Sequence, residues 1–388
     1  MKILLFAGPS GGHLFPALAF AQYLRKKHPK SECALVVTPR VSSFLKTSLR
    51  PSGTATERTP LVDGLKIFYL PEFPFPKIFL LKAPSFLLKL SQAFLKTDEI
   101  IRQMKPDAVV AFGTFVSVPG VILGRARKIP AVIHEQNIEL GRANRMLVPF
   151  AAKVAVSFPT TLEKLPKNKG VWVGNVLRSE MLETARKPVT RGKKAQILIL
   201  GGSQGSSLLN QKIFQTFQHM SPEEREKLAV IHITGTADFP SYEHAYDGLG
   251  MENEVFPFTD EMAAFFASSD LVIARAGAGT IWELLLFGLP SILIPYPYAG
   301  SHQLQNAQYV AEKGAARIIE EAHLSPKGLN EEIRSILTGS ELEKMRENAK
   351  RLAKPDAGEC LMREVEKLIT PPTFILPLEG GGKGGGED

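Results

Sequence analysis

The sequence has few cysteines and no long apolar run. Its two cysteines, Cys33 and Cys360, are far apart and lack metal-ligand spacing, which argues against a disulfide framework or a zinc site and favours a reducing cytoplasm. Nowhere do about 18 apolar residues follow one another, so we expect no transmembrane helix. The mostly apolar residues 1–7 are followed by Gly8 and Pro9 without a small-residue cleavage pattern, and they predict a first strand rather than a signal peptide.

An excess of positive charge is present but modest. The 47 basic and 39 acidic residues give a formal net charge of +8, which favours anionic ligands or surfaces. Basic runs interleaved with aromatic residues are absent, so we expect no nucleic-acid partner. With 388 residues the chain should form two domains, because single cores stop growing at about 250 to 300 residues. A mean hydropathy of -0.01 is typical of a soluble globular protein.

The stretch that begins at Asp270 has the clearest pattern. Residues 270–274 predict a buried parallel strand, the glycines at 277 and 279 a tight turn, and the next residues a helix closed by Gly288. Such a unit brings backbone N–H groups and a positive helix end to the edge of a sheet, which suits a diphosphate. A second strand over 291–295 leads into a polar loop and helix containing His302, Gln303 and Asn306.

Glu283 lies on the helix of this unit and has two interpretations. Thr280 and Glu283 have the spacing of a capping box, and any doubly wound fold needs glycine turns after its strands. A ligand-binding role is favoured over a structural one, because Glu283 lies near a phosphate-type turn and the polar side chains of His302, Gln303 and Asn306 follow the next strand. All of them can converge on one ligand with many hydroxyl groups.

The same unit opens each half of the chain. After the first strand, the turn contains Ser10, Gly11 and Gly12, and His13 stands at the start of a helix, where it is a candidate for phosphate binding or proton abstraction, with a cap as the structural alternative. Residues 197–200 form another strand, followed by a turn containing Ser203, Gln204 and Gly205. The chain therefore predicts an α/β protein with two doubly wound, Rossmann-like domains facing a cleft.

Polar residues 134–137 follow the predicted strand 131–133 as a tip at the carboxyl edge of the sheet, where open α/β sheets hold their ligands. Arg178 follows a Gly-Asn turn and is a candidate phosphate or acceptor contact. The apolar, proline-broken and basic segment 71–84 is either a loop tucked into the core or a patch that touches a membrane.

These motifs, in this order, resemble the MurG family, peptidoglycan N-acetylglucosaminyltransferases of the inverting GT-B class. The resemblance is carried by Arg-Ala-Gly-Ala at 275–278, Glu283, Gly-Leu-Pro at 288–290 and His-Gln-x-x-Asn-Ala from His302. His-Glu-Gln-Asn at 134–137 and Gly-Gly-Ser-Gln-Gly at 201–205 also match. The chain departs from the family in two places: Pro9 and Ser10 replace Gly and Thr of the first glycine-rich loop, and the linker before Arg178 has lost its proline.

The resemblance implies transfer of N-acetylglucosamine from UDP-N-acetylglucosamine to undecaprenyl-diphosphate-linked muramoyl-pentapeptide, with inversion. It implies no cofactor and no metal, and in the sequence no Asp-x-Asp pair ends a strand. His13 is the candidate catalytic residue. The predicted donor-binding residues are Ser10, Gly11, Gly12, Asn137, Arg178, Ser203, Gln204, Gly205, Phe258, Arg275, Ala278, Gly279, Glu283, Gln303 and Asn306. His134 and Glu135 are expected only to orient their loop.

Domain organisation follows from the same resemblance. Residues 1–176 would form the acceptor- and membrane-binding domain, residues 177–355 the UDP-sugar-binding domain, and the helix over 356–370 would return to the first domain. The glycine-rich residues 371–388 predict a flexible tail. We expect a peripheral protein on the cytoplasmic face of the inner membrane, docked to its anionic surface through Phe75, Lys77, Ile78, Phe79, Leu80 and Lys82, with the prolines holding an exposed knuckle.

Two rival functions remain open at this point. The first is another GT-B UDP-sugar transferase or a sugar-nucleotide epimerase, which would share the fold but use a different acceptor. The apolar basic segment argues against it, because that segment favours a lipid acceptor. A dinucleotide-binding oxidoreductase would also have glycine turns, but the first strand lacks a strict Gly-x-Gly-x-x-Gly with a following ribose-binding acid.

Overall fold

A computed structural model describes residues 1–41, 64–72, 79–188, 192–201, 206–297 and 302–370. For residues 79–83 it describes the backbone only. Several predictions therefore lie outside the described residues: those on Ser203, Gln204, Gly205, Phe75, Lys77, Ile78 and the tail 371–388, and those on the side chains of Phe79, Leu80 and Lys82.

The first half of the described chain forms a parallel sheet of seven strands in the order β3-β2-β1-β4-β5-β6-β7. Helices cover both faces, so residues 3–6 of strand β1 are all apolar and completely buried. The strands are β1 (Lys2–Phe6), β2 (Glu32–Val37), β3 (Lys66–Tyr69), β4 (Ala108–Ala111), β5 (Ala131–Glu135), β6 (Lys153–Val156) and β7 (Gly170–Trp172).

The second half repeats this arrangement with a parallel sheet of six strands, in the order β10-β9-β8-β11-β12-β13 among the described residues. Buried apolar clusters lie on both of its faces. The strands are β8 (Ala195–Leu200), β9 (Leu228–Ile233), β10 (Glu252–Phe256), β11 (Leu271–Ala274), β12 (Ser291–Leu293) and β13 (Ala316–Ile318). The predicted α/β fold with two doubly wound domains is confirmed.

Helices connect the strands and pack on the sheets. The described α-helices are α1 (Gly11–Lys27), α2 (Phe79–Met104), α3 (Ser117–Ala126), α4 (Arg142–Leu147), α5 (Ser179–Thr184), α6 (Ser207–His219), α7 (Pro222–Arg225), α8 (Phe239–Tyr242), α9 (Met262–Ser268), α10 (Ala278–Phe287), α11 (His302–Glu312), α12 (Pro326–Leu337), α13 (Glu341–Leu352) and α14 (Ala357–Ile369). Within these ranges no helix is long and apolar enough to cross a membrane.

The last helix packs on the first sheet. Leu361 and Val365 of α14 are completely buried in the same apolar cluster as Ile3 and Leu5 of β1. The two halves also meet at Phe158, whose ring centre lies 5.4 Å from that of Trp282 and 5.3 Å from that of Tyr309. An aromatic contact from the first half is thus built into the core of the second.

Three local predictions are corrected by the structure. His134 and Glu135 belong to β5 rather than to a polar tip beyond it. Helix α2 starts at Phe79 and runs through Pro84, so this proline does not end the segment as an exposed knuckle. Strand β13 was not expected, because its three residues include the charged Arg317 and carry almost no apolar pattern.

Candidate active site

The carboxyl edges of the two sheets supply the candidate site. Helix α1 begins directly beyond β1, and α10 begins directly beyond β11. The two helices contact each other across the halves of the protein. A Cβ atom built on Gly12 or Gly279 would meet nothing within 4 Å, so both helix starts have open space where a ligand can approach the backbone N–H groups.

His13 occupies the first turn of α1. Its Nδ1 is hydrogen-bonded to Ser10 Oγ at 2.6 Å, and its ring packs so closely on Gly113 that a Cβ there would lie 2.8 Å from Cδ2. Burial lowers the pKa of His13 to about 4, so the imidazole is neutral at pH 7. When Nδ1 donates its proton to Ser10, Nε2 is the unprotonated nitrogen and can accept a proton from a substrate.

Glu283 faces this region from α10 and is not part of a helix cap. The N-cap of α10 is Gly277, and Thr280 lies inside the helix, so the capping-box interpretation of Thr280 and Glu283 is wrong. Burial raises the pKa of Glu283, and the neighbouring Arg178 opposes that rise. Gly288 closes α10 in the left-handed conformation with φ 63°, as predicted.

Arg178 joins the two halves at the cleft. Its Nη2 lies 3.5 Å from Glu283 Oε1 and its Nη1 lies 2.7 Å from Glu180 Oε1. The guanidinium also lies over the ring of Phe15 on α1, 5.4 Å from its centroid. Arg178 and Glu283, predicted separately from two distant motifs, are therefore brought together by the fold.

Asn137 and Asn306, both predicted to face the donor sugar, bond to each other. Asn306 is completely buried; its Oδ1 accepts from the Ile138 N–H at 3.1 Å. Its Nδ2 donates to Asn137 Oδ1 at 3.0 Å and to Ala276 O at 3.4 Å. These bonds join α11 of the second half to the loop after β5 of the first half.

The loop that carries Asn137 is held by buried polar groups. Glu135 accepts hydrogen bonds from the N–H groups of Asn137 and Gly141, at 3.0 and 2.9 Å, and from Asn144 Nδ2 at 2.8 Å. His134 Nε2 is hydrogen-bonded to Gly174 O at 3.0 Å, and burial lowers its pKa to about 4. These contacts fix the loop that carries Asn137; the orienting role of His134 and Glu135 stays a prediction.

The remaining predicted donor residues take different positions. Ala278 and Gly279 form the first turn of α10, and Phe258 follows β10 with 48% of its surface exposed. Gln303 Oε1 accepts from the Tyr296 N–H at 2.9 Å. Arg275 is buried and its guanidinium is directed at protein groups.

Two features of the site were missed by the sequence analysis. Gly113 and Thr114 both have positive φ, 85° and 64°, and for Thr114, a β-branched residue, this conformation is rare. It keeps the backbone of Gly113 against the ring of His13. Glu321, from a short 3₁₀ turn beyond β13, forms an ion pair with Arg275. Within the described ranges, no group of three or more His, Cys, Asp and Glu side chains could hold a metal ion.

Comparison with known proteins agrees with this geometry. Models of the glycosyltransferase family 28 N-terminal and C-terminal domains match residues 3–156 and 196–361. The UDP-N-acetylglucosamine--N-acetylmuramyl-(pentapeptide) pyrophosphoryl-undecaprenol N-acetylglucosamine transferase of Pseudomonas putida is 38% identical over 363 residues, covering 93% of this chain and 96% of the relative.

The chain belongs to the MurG family. A relative of the same name from Halothermothrix orenii is 33% identical over 94% of this chain and 98% of its own length. The crystal structure of Acinetobacter baumannii MurG covers 95% of this chain and 100% of its own, with a TM-score of 0.73 and 26% identity. The chain is a glycosyltransferase, as the resemblance implied.

A sugar-nucleotide epimerase shares the fold only. The UDP-GlcNAc 2-epimerase from Neisseria meningitidis, whose structure is bound to UDP-GlcNAc, superposes with a TM-score of 0.65 over 95% of this chain and 100% of its own. The superposition shows a common architecture, and at 12% sequence identity it indicates nothing about the reaction. The MurG relatives therefore favour the transferase over the epimerase alternative.

Proposed function

We propose that this chain transfers N-acetylglucosamine from UDP-N-acetylglucosamine to the muramoyl hydroxyl of undecaprenyl-diphosphate-linked muramoyl-pentapeptide, with inversion at the anomeric carbon. The observation that carries the proposal is the position of His13 in the first turn of α1, bonded to Ser10, with the start of α10 and Glu283 on the opposing wall of the cleft. One wall then holds a proton acceptor and the other a site for a nucleotide sugar.

The reaction requires a group that removes a proton from the acceptor and groups that stabilise the charge on the departing UDP. As the acceptor oxygen forms its bond to C1 of the sugar, its proton must leave, and His13 Nε2 takes it. As the bond from C1 to the UDP oxygen breaks, the diphosphate gains charge. The N–H groups of Ala278 and Gly279 at the start of α10 meet that charge, and the helix dipole adds to their effect.

Donor recognition is divided between the α10 helix and the adjoining loops. We assign the ribose hydroxyls to Glu283, the sugar hydroxyls to Gln303, Asn306 and Asn137, and the edge of the base to the backbone near Phe258. Ser203, Gln204 and Gly205 would contact the diphosphate. On the opposing wall Ser10 is the N-cap of α1, and Gly11 and Gly12 are its first residues rather than part of the predicted turn; we assign them to the donor beside His13. Arg178 supports Glu283 through their ion pair at 3.5 Å.

Membrane docking is the second part of the proposal, because the polyprenyl chain of the acceptor stays in the bilayer. Helix α2 begins at Phe79, inside the predicted docking segment, and exposes Leu87, Leu88 and Leu95 by 56%, 60% and 72%. Residues 88 and 95 are seven apart, so they share one helix face. The exposed Lys89 adds a positive charge. This face extends the docking surface beyond Phe75, Lys77, Ile78, Phe79, Leu80 and Lys82.

The experiment that tests the proposed reaction is incubation with UDP-N-acetylglucosamine labelled in the sugar and lipid-linked muramoyl-pentapeptide, in the presence of a metal chelator. Transfer of label to the lipid, with a β-linked product from the α-linked donor, is the expected result. Conversion of the labelled donor to an epimer in the absence of acceptor would instead support the epimerase alternative.

A further inference from the structure

Strand β11 has a buried arginine paired with a carboxylate at each end. At its amino end Arg346, which is 4% exposed, lies 2.7 Å from Asp270. At its carboxyl end Arg275, which is 8% exposed, pairs with Glu321. The two pairs are alike in burial and chemistry, but only the second lies at the edge of the sheet where doubly wound proteins bind ligands.

The guanidinium of Arg275 is surrounded by groups of this chain. Its Nη2 donates to Ser206 Oγ at 2.8 Å and pairs with Glu321. Its Nη1 donates to Ile294 O at 3.2 Å and to Pro295 O at 3.5 Å. The ring of Tyr296 covers the guanidinium, with its centroid 5.5 Å away.

These partners belong to two different walls of the donor site. Ser206 is the N-cap of α6, the helix that follows β8, and we assign this helix start to the diphosphate. Residues 294–296 lead into the sugar wall, because the Tyr296 N–H donates to Gln303 Oε1 at 2.9 Å. A single planar guanidinium is therefore fastened to both walls, with Glu321 balancing its charge.

We propose that Arg275 is a positioning residue that fixes the spacing between the diphosphate wall and the sugar wall from beneath, while Glu321 holds its guanidinium in place. This inference rests on the proposed donor site and changes the role of Arg275 in it: the guanidinium acts through Ser206 and the 294–296 loop. A lysine cannot replace it, because one ammonium group lacks the planar fork that reaches acceptors on several sides.

The test compares Arg275→Lys with the matched control Arg346→Lys. Each change removes a buried guanidinium that packs at one end of β11, Arg346 from helix α13 and Arg275 from the residue after the strand, so both should lower the melting temperature. Only Arg275→Lys should raise the Kd for UDP and the KM for UDP-N-acetylglucosamine, by about tenfold, with a much smaller change in kcat. Arg346→Lys should leave KM within about twofold of the unchanged protein.

A third variant keeps the test decisive if Arg275→Lys does not fold. Ser206→Ala removes only the hydroxyl that accepts from Nη2, and we expect a rise of about threefold in the Kd for UDP. An unchanged Kd in Ser206→Ala, an unchanged KM in Arg275→Lys, or an equal rise in KM in Arg346→Lys would overturn the inference. Failure of the donor-site assignment is distinguishable, because Glu283→Ala would then leave UDP binding unchanged.

Discussion

Asn306 and Asn137 are hydrogen-bonded across the cleft, with Asn306 Nδ2 3.0 Å from Asn137 Oδ1. The same Asn306 amide accepts from the Ile138 N–H, so one side chain of α11 holds the loop beyond β5. Both side chains are proposed sugar contacts. To bind the hydroxyl groups of a donor sugar, the two side chains must therefore give up bonds to protein groups. This connects donor binding with the contact between the domains.

The first prediction concerns this contact. Asn306→Ala removes the bonds to Asn137 and Ile138, each worth about 1 kcal/mol, and we expect a larger radius of gyration in solution scattering of the ligand-free protein. The matched control is Asn348→Ala, which loses an amide bond of 3.1 Å to Gly314 O away from the cleft. Equal radii for the two variants would show that the Asn306 bonds do not hold the domains together.

The second prediction concerns Glu283. Because the helix cap is Gly277, Glu283→Ala should have little effect on the melting temperature. Loss of a carboxylate bond to the ribose should weaken UDP binding by about 1.5 to 3 kcal/mol, measured by titration calorimetry. Glu180→Ala is the control, because it removes the other carboxylate of Arg178 and should leave binding nearly unchanged. Equal affinity in Glu283→Ala would remove this residue from the donor site.

The third prediction concerns acid stability. Burial lowers the pKa of His134 to about 4 and that of His232 to about 3, from the ordinary value of 6.5. The unfolded chain therefore binds these protons first, and stability present above pH 6.5 is lost as the pH falls. Between pH 7.5 and 5 each histidine should remove about 2 kcal/mol of unfolding free energy.

Urea unfolding at the two pH values measures this loss. His232→Gln replaces an imidazole that is bonded to Tyr246 Oη and Asn210 Oδ1 at 2.9 and 3.1 Å, and it should lower stability at pH 7.5 but reduce the loss at pH 5. If the variant loses as much stability as the unchanged protein between the two values, the buried His232 is not a source of the acid sensitivity.

The fourth prediction concerns the membrane. Replacing Leu87, Leu88 and Leu95 by Ser removes exposed apolar surface and should weaken sedimentation with anionic liposomes, and high salt should weaken it further through the lysines. Replacing Phe75, Ile78 and Phe79 by Ser should abolish sedimentation. Transfer to a short-chain, water-soluble acceptor should survive both changes. If both triple variants still sediment with liposomes, the docking surface lies elsewhere.

Local sequence signals predicted much of this fold. The strand before Arg275 and the closure of α10 by Gly288 depend on residues close together in the chain, so their pattern is visible without the structure. The spacing of Thr280 and Glu283 suggested a capping box, but the N-cap is Gly277, three residues before Thr280. His134 and Glu135 look like loop residues, yet they belong to β5 because their backbones pair with Ala155 and Val156 of β6.

The contacts that build the site come from distant parts of the chain. Arg275 and Glu321 are 46 residues apart by their numbers, and no pattern in either segment marks their pairing. The bond between Asn306 and Asn137 spans 169 positions. Residue type and spacing could therefore nominate the polar side chains, but only the packing of the two domains shows which of them meet.

Proton transfer to His13 is the central claim, and the kinetics of His13→Ala test it most directly. Titration calorimetry should give an unchanged Kd for UDP, while kcat for N-acetylglucosamine transfer at pH 7 falls by about 100-fold or more. Because the pKa of His13 is lowered to about 4, kcat/KM of the unchanged protein should show no inflection from His13 near pH 6.5. A His13→Ala variant with the kcat of the unchanged protein would contradict the account.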